Sequence, residues 1–170
     1  SVGYACTSGA TIIGPKKIET IIKNILPKTN VSNPISAVVN ALNSLGAKNI
    51  AFVSPYIQSV TSKMREFLIE KGFIISNQIS FEQEEESVVA RIREIDTLDA
   101  ILKIPKDSYD AIFISCTNLR TFNILNKAEK IIKKPVISSN LALAWDMVRL
   151  SEIKSDHPDG MLFPSKLFEY

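Results

Sequence analysis

The sequence is poor in the residues on which disulfide-rich, metal-binding and membrane proteins depend. Its 170 residues include two cysteines and one histidine, His157. Two cysteines cannot build a disulfide framework, and a lone histidine cannot anchor an ordinary zinc site. No apolar run reaches the roughly 18 residues that a membrane-spanning helix needs, and no G-x-G-x-x-G motif supports dinucleotide binding. We therefore expect a metal-free protein that does not span a membrane.

An excess of charge of one sign is also missing. Twenty Lys and Arg face eighteen Asp and Glu, a net charge of +2, and the basic residues are scattered along the chain. Nucleic acids and anionic membrane surfaces attract clustered basic charge, so we expect neither as a partner. The first residues carry no basic region of the kind that opens a secretory signal. Together with the low cysteine count, this predicts a reduced, cytoplasmic protein.

Short β-branched apolar runs alternate with longer amphipathic stretches, the pattern of a parallel sheet covered by helices. The expected strands are Val2–Ala5, Ile50–Val53, Phe73–Ser76, Ala111–Ser115 and Pro135–Ser138. The expected helices are Pro34–Leu45, Ile57–Lys71, Glu84–Ile95, Thr121–Lys133 and Leu141–Leu150. Asn140 is expected to cap the last of them. We predict an α/β fold, and we expect that a βα unit before the first strand is missing.

Both cysteines occur in the same local setting. The segments Val2–Gly9 and Ala111–Asn118 each read as an apolar strand, then Cys-Thr, then a small or amide residue, with a helix expected to follow. Ligands of open α/β sheets bind beyond the carboxyl ends of the strands. At a helix N-terminus the dipole lowers the pKa of a thiol, and free N–H groups can hold a carboxylate. The repeated motif therefore predicts a site built around Cys6 and Cys116.

Two structural interpretations of these cysteines stay open. A cysteine at the end of a strand is often only a small buried apolar residue. Cys6 and Cys116 could instead form a disulfide, which the expected reducing compartment disfavours. The functional interpretation depends on the matched pair of Cys-Thr turns, because either turn alone is a weak signal.

Four segments taken together resemble the aspartate/glutamate racemase superfamily. They are Tyr4–Gly9, Ser54–Tyr56, Ser115–Thr121 and Pro135–Asn140. Within that superfamily the sequence is most similar to the branch of maleate isomerases, arylmalonate decarboxylases and racemase-type ectoine-utilisation proteins. The resemblance covers essentially the whole chain. It rests on the order of the two cysteine motifs, with a Pro-Tyr pair between them.

The resemblance implies two pseudo-symmetric flavodoxin-like lobes, with parallel sheets flanked by helices and an active site in the cleft between the lobes. Residues 1–33 and 140–170 would form the first lobe, incomplete at its N-terminus, and residues 34–139 the second. The resemblance also implies that no metal or organic cofactor is needed. It further implies a small carboxylate substrate and a homodimer or a higher homo-oligomer.

Each lobe would contribute one catalytic cysteine, Cys6 from the first and Cys116 from the second. The positions that match carboxylate-binding residues of the family are Thr7, Ser8, Tyr56, Thr117 and Asn118. Some isomerases of this branch have an asparagine where this chain has the acidic run Glu84–Glu86. Acidic residues would repel a dicarboxylate such as maleate.

The resemblance implies a cofactor-independent racemase or cis–trans isomerase of a small carboxylate or dicarboxylate, with Cys6 as nucleophile or first base and Cys116 as the opposing acid. Two alternatives stay open. A malonate-type decarboxylase would use Cys116 alone, and a non-catalytic protein would bind a carboxylate without turnover. The presence of both cysteines favours the isomerase or racemase, because the decarboxylase type works with the second-lobe cysteine only.

Overall fold

The computed structural model describes residues 1–151, which form two parallel β-sheets flanked by helices. The strands are β1 (Val2–Gly3), β2 (Val31–Ser32), β3 (Asn49–Tyr56), β4 (Ile74–Gln83), β5 (Ala111–Ile114) and β6 (Val136–Ser138). The helices are α1 (Thr7–Ile13), α2 (Pro15–Ile25), α3 (Pro34–Ser44), α4 (Gln58–Glu70), α5 (Glu86–Val89), α6 (Glu94–Leu102), α7 (Phe122–Ile132) and α8 (Ser139–Ser151). His157 and the rest of the expected tail of the first lobe lie outside the described residues.

The larger sheet has the strand order β4-β3-β5-β6, and all its neighbouring strands are parallel. The central strands β3 and β5 are almost continuously buried, as strands covered by helices on both faces require. Phe52 and Phe113 stand opposite each other in register and stack with their ring centroids 5.3 Å apart. The carboxyl edge of this buried sheet carries Tyr56 at the end of β3 and Cys116 just beyond β5.

The strands β1 and β2 form a separate small sheet, with Val2 opposite Val31. Helix α8 follows the last strand of the large sheet but packs against both strands of the small sheet and against α3. Its Asp146, which is buried, accepts hydrogen bonds from Ser32 Oγ at 2.5 Å and from Asn40 Nδ2 at 3.1 Å. These bonds hold α8 against β2 of the small sheet and against α3. The division of the chain into lobes near residues 33 and 140 stays a prediction.

The α/β fold with parallel sheets that the sequence predicts is confirmed. The predicted helix that begins with the acidic run is wrong. The pattern predicts one helix over Glu84–Ile95, whereas the chain forms α5 and α6 with Arg93 between them in an extended conformation (ψ 147°). The guanidinium of Arg93 contacts the Asp96 carboxylate at 2.7 Å, and this pair begins α6 as a separate helix. The short strand β2 and helix α2 had no counterpart among the expected elements.

Asp110 joins the N-terminal ends of β3 and β5. Its Oδ2 accepts hydrogen bonds from the backbone N–H groups of Asn49 (2.7 Å) and Lys48 (2.9 Å), and these bonds lower the pKa of its carboxyl group. A carboxyl group whose pKa falls on folding stabilises the fold above its unfolded pKa, about 3.9 for Asp. That stabilisation is lost as the pH falls through the folded value.

We expect Asp110→Asn to lower the free energy of unfolding at neutral pH by up to about 1 kcal/mol, since solvent screens this exposed carboxylate. The difference should narrow at about pH 3, which lies below the unfolded pKa of the carboxyl group, and it is lost as the pH falls through the lower folded value. Urea titrations of both proteins at the two pH values measure the effect. Equal stabilities at neutral pH would show that the bonds contribute nothing.

Candidate active site

Cys6 lies beyond the carboxyl end of β1, where the chain turns into α1. It is the N-cap of that helix, because its Sγ accepts a hydrogen bond from the Gly9 N–H at 3.4 Å. Ser8 Oγ lies 3.7 Å from the same sulfur. The thiol is free and the residue half-buried. The helix expected after Cys6 is therefore present, and the first N–H groups of a helix have no intrahelical acceptor.

Cys116 lies just beyond β5, but no helix begins there. Its backbone is left-handed (φ 83°), a conformation that costs a non-glycine residue energy, and α7 begins only at Phe122. The residue is 2% exposed. Burial raises the pKa of its thiol, against the opposing effect of hydrogen bonds from Tyr56 and from the Asn118 N–H. The expectation that a helix dipole lowers the pKa of this thiol is wrong.

A direct contact joins the two cysteine turns. Thr117, which follows Cys116, donates a hydrogen bond from Oγ1 to the carbonyl oxygen of Ala5, which precedes Cys6, at 2.9 Å. The contact spans 112 positions of the sequence. The structure therefore brings together the two motifs that the sequence analysis paired, at the meeting point of the small and the large sheet.

Asn140 supports the second cysteine turn rather than capping a helix. Its Nδ2 donates to the carbonyl oxygen of Thr117 at 2.9 Å. At the start of α8 it is Ser138 Oγ that accepts a hydrogen bond, from the Leu141 N–H at 3.1 Å. The predicted capping role of Asn140 is wrong because Ser138, the last residue of β6, already satisfies this part of the helix end.

Tyr56 ends β3 and directs its hydroxyl group at the buried cysteine. Its Oη lies 2.9 Å from Cys116 Sγ and 2.9 Å from Glu86 Oε1. Burial, followed by the Cys116 and Glu86 side chains, raises the pKa of the phenol. Tyr56 is therefore a neutral hydroxyl group held between a thiol and a carboxylate. Its predicted role as a carboxylate-binding residue stays a prediction.

Glu86 is a residue of this site that the sequence analysis did not identify. It opens α5, and the acidic run was interpreted as a helix N-terminus or as a repulsive surface. Asn118 Nδ2 donates to Glu86 Oε2 at 3.0 Å and to its carbonyl oxygen at 2.9 Å, so this predicted substrate-binding residue contacts Glu86. The position of the acidic run could have indicated this role. The run follows β4, and the carboxyl end of β4 lies at the same sheet edge as Tyr56.

The two remaining predicted residues, Thr7 and Ser8, differ in their surroundings. Thr7 is buried, and its Oγ1 donates to Ser139 Oγ at 2.8 Å. Its hydroxyl group is therefore used to hold α1 against the start of α8. Ser8 is half-buried and lies beside the Cys6 sulfur. Of the two hydroxyl groups, that of Ser8 is the one placed next to a thiol.

Gly9 and Tyr4 complete the surroundings of Cys6, and the sequence analysis gave neither a role of its own. A Cβ atom on Gly9 would lie 2.6 Å from Tyr4 Oη and 3.1 Å from Cys6 Sγ. The Tyr4 hydroxyl group and the Cys6 sulfur therefore both border the position that a side chain on Gly9 would occupy, and glycine leaves this position open.

The site contains thiols, hydroxyl groups, an amide and one carboxylate. Within residues 1–151, no cluster of three or more His, Cys, Asp or Glu is arranged to hold a metal ion, and no helix could cross a bilayer.

The family model of arylmalonate decarboxylase matches residues 16–163. The chain belongs to the arylmalonate decarboxylase family. This confirms the resemblance found from the sequence motifs.

Two relatives and one solved structure define the similarity. The arylmalonate decarboxylase of Bordetella bronchiseptica is 31% identical over 74% of this chain and 52% of its own length. The maleate isomerase of Geobacillus stearothermophilus is 22% identical over 97% of this chain and 69% of its own length. A Nocardia farcinica maleate cis–trans isomerase variant with a covalently bound succinylcysteine intermediate superposes with a TM-score of 0.84 at 23% identity, over 89% of this chain and 65% of that one.

These matches bear on the fold of the chain, on its length relative to known proteins and on the reactions to be considered. The structural match confirms the two-lobed α/β fold that the resemblance implied. The chain spans between about half and just over two thirds of the length of the relatives quoted. Their names cover two reactions, isomerisation and decarboxylation.

Proposed function

We propose that the protein is a cofactor-independent racemase or cis–trans isomerase of a small carboxylate, with Cys6 and Cys116 acting on one substrate. The observation that carries this proposal is the hydrogen bond from Thr117 to Ala5, which joins the two cysteine turns. The relationship to maleate isomerases and to an arylmalonate decarboxylase supports an enzyme of this kind. A cytoplasmic location and a homo-oligomer, inferred from the sequence and the resemblance, belong to the same proposal.

In the racemase version, the two thiols exchange protons with one carbon atom. The Cys6 thiolate removes a proton from the carbon beside the carboxylate, and Cys116 delivers its S–H proton to the opposite face. One C–H bond breaks and another forms, so the configuration inverts. The negative charge that develops on the carboxylate is met by the Ser8 hydroxyl group and by N–H groups at the start of α1. The buried Cys116, whose thiol pKa is raised, suits the proton donor.

In the cis–trans version, a thiolate adds to an activated carbon–carbon double bond. The Cys6 sulfur forms a bond to one alkene carbon, and Cys116 protonates the neighbouring carbon. Rotation about the resulting single bond, followed by loss of the same proton and of the sulfur, gives the other isomer. The succinylcysteine intermediate in the Nocardia farcinica enzyme supports this version.

A decarboxylase using Cys116 is the second candidate, favoured by the family match and by the 31% identity to the Bordetella bronchiseptica enzyme. Loss of CO₂ from a malonate leaves an electron pair on the α-carbon, which Cys116 protonates. This reaction requires no second thiol. The Glu86 carboxylate beside Tyr56 disfavours a second substrate carboxylate at that end of the site. This repulsion acts on maleate and on a malonate alike, so it does not separate the two reactions.

Proton NMR in D₂O with a panel of maleate, aspartate, glutamate and a substituted malonate tests the proposal. Deuterium at the α-carbon, or conversion between cis and trans isomers, would support the racemase or isomerase. Loss of CO₂ with single deuteration would support the decarboxylase. Binding of a panel member, seen as line broadening, with no turnover of any would indicate the non-catalytic carboxylate-binding protein and contradict the proposal.

Thr117→Val removes the hydroxyl group that joins the two turns and keeps the shape of the side chain. We expect kcat/KM to fall about tenfold, the effect of about 1.4 kcal/mol, because the two thiols lose their fixed separation. Thr121→Val is the matched control: its buried Oγ1 has no hydrogen-bond partner within residues 1–151. The control should retain wild-type kcat/KM, and equal kcat/KM in both variants would show that the contact does not position the thiols.

A further inference from the structure

Two groups at the second cysteine turn, Cys116 and Glu86, compete for the single hydroxyl hydrogen of Tyr56. Tyr56 Oη lies 2.9 Å from both Cys116 Sγ and Glu86 Oε1. A phenol has a single hydrogen to donate, and a carboxylate can only accept. Tyr56 therefore cannot donate to both partners at once. If its hydrogen goes to Glu86, the short contact to the sulfur is satisfied only when Cys116 donates its own S–H to Tyr56 Oη.

We propose that Glu86 holds Cys116 in the thiol form by competing with the sulfur for the single hydroxyl hydrogen of Tyr56. Glu86 is then a positioning residue, because it acts through Tyr56. For its catalytic consequence the inference rests on the proposed function: Cys116 becomes the proton donor of the pair, and Cys6 the thiolate.

Asn118 holds the competing groups in this arrangement. Its side-chain amide donates to Glu86 Oε2 at 3.0 Å, and its backbone N–H donates to Cys116 Sγ at 3.2 Å. One residue thus fixes both acceptors on either side of the Tyr56 hydroxyl group. The Glu86 carboxylate therefore accepts hydrogen bonds from both the Asn118 amide and the Tyr56 phenol.

The charges around Cys116 act in the same direction as the competition. Tyr56 and Cys116 are buried, at 6% and 2% exposure, so solvent screens their interaction poorly. The titratable side chains that act on Cys116 are Tyr56 from β3 and Glu86 from α5, and the Glu86 charge raises the pKa of the thiol. From the α1 side the titratable neighbour is Cys6, whose turn is joined to this one through Thr117.

The competition also resets the site after each turnover. When Cys116 protonates the substrate carbon, its S–H bond breaks, a C–H bond forms and a thiolate remains. That thiolate can accept the Tyr56 hydrogen only if the Tyr56–Glu86 bond breaks. In the racemase version its thiol form is therefore favoured again. Cys116 takes a proton from water, and the hydroxide so formed takes the proton that Cys6 removed from the substrate, which leaves Cys6 as the thiolate.

The test is a pH titration of the Cys116 thiolate, followed by its ultraviolet absorbance in a Cys6→Ser background. The same titration of the double variant Cys6→Ser, Cys116→Ser, which lacks both thiols, is subtracted to isolate the Cys116 absorbance. We expect Glu86→Gln to lower the titration midpoint by about one pH unit, which is about tenfold in thiolate fraction below the midpoint. Glu85→Gln removes the same charge one position earlier, and both side chains are exposed. Because the Tyr56 hydroxyl group contacts Glu86, the Glu85 variant should leave the midpoint where it was.

A second background separates the hydroxyl group from simple charge repulsion. With Tyr56→Phe added, Glu86→Gln should shift the midpoint by less than about a third of a pH unit, because the hydroxyl hydrogen for which Glu86 and Cys116 compete is absent. The same shift with and without the hydroxyl group would overturn the proposal in favour of charge acting through space. No shift in either background would overturn it entirely.

The titration needs no substrate, so its outcome is separate from that of the proposed function. A silent carboxylate panel with a midpoint shift that depends on Tyr56 would reject the enzyme and keep the role of Glu86 in the protonation of Cys116. Turnover of a panel member without that shift would support the enzyme and reject the role of Glu86.

Discussion

Cys116→Ala should abolish turnover of whatever carboxylate the protein converts. The variant loses the proton donor in the racemase, in the isomerase and in the decarboxylase, and a positioned general acid contributes about 10²- to 10⁴-fold to a rate. We expect kcat to fall at least about a thousandfold, with the helical signal in circular dichroism unchanged. The measurement is the initial rate by proton NMR on the substrate that the panel identifies.

Ser115→Ala is the matched control for this loss. Ser115 precedes Cys116 and is buried, and its Oγ has no hydrogen-bond partner within residues 1–151. Removing that oxygen should leave both the rate and the free energy of unfolding unchanged or slightly raised. If Cys116→Ala kept more than about a tenth of the wild-type rate while folded, no mechanism described above would survive.

Cys6→Ala has an expected effect of the same size, but only for reactions that need two thiols. Racemisation or cis–trans isomerisation should fall at least about a thousandfold, because no base or nucleophile faces Cys116. Decarboxylation should continue, because it uses Cys116 alone. Rates of the same variant on an isomerisable substrate and on a substituted malonate therefore assign the reaction.

Cys6→Ala also removes the cap of α1, so a second variant is needed to separate stability from chemistry. Cys6→Ser replaces the sulfur with the oxygen of a residue that is strongly favoured at N-caps. We expect α1 to keep its stability in Cys6→Ser and the two-thiol reaction to remain lost. Recovery of the wild-type rate in Cys6→Ser would mean that Cys6 is only a cap.

The strands and the pairing of the cysteine motifs could be predicted because their signals are local. The runs Ile50–Val53 and Ala111–Ser115 are apolar over the length of a strand that is buried on both faces. The first run lies inside β3, and the second extends one residue beyond the end of β5. The Cys-Thr motif directly follows a strand in both cases. Repetition of the motif predicted one site built around both cysteines. The strands that precede them lie in different sheets, β1 in the small sheet and β5 in the large one, so the contact between the turns follows from the packing of the two sheets.

The protonation of the site could not be predicted because it depends on tertiary contacts. The pKa of the Cys116 thiol depends on its burial, and no helix begins at this residue to lower it. Tyr56, Glu86 and Asn118 come from three different segments, and only the folded sheet edge brings them within hydrogen-bond distance. The acidic run predicted a helix that begins at Glu84, two residues before the start of α5, and gave no sign of the contact between Glu86 and Tyr56.

The most direct test of the central claim, that Cys6 and Cys116 belong to one site, needs no substrate. The chain has only two cysteines, so a short bis-alkylating bimane, which fluoresces only when both arms have reacted, reports on this pair alone. Cys6→Ser and Cys116→Ser serve as single-thiol controls. We predict one bimane per chain, bridging the Cys6 and Cys116 peptides within a single chain in mass spectrometry. Two separately alkylated cysteines without a bridge would contradict the account.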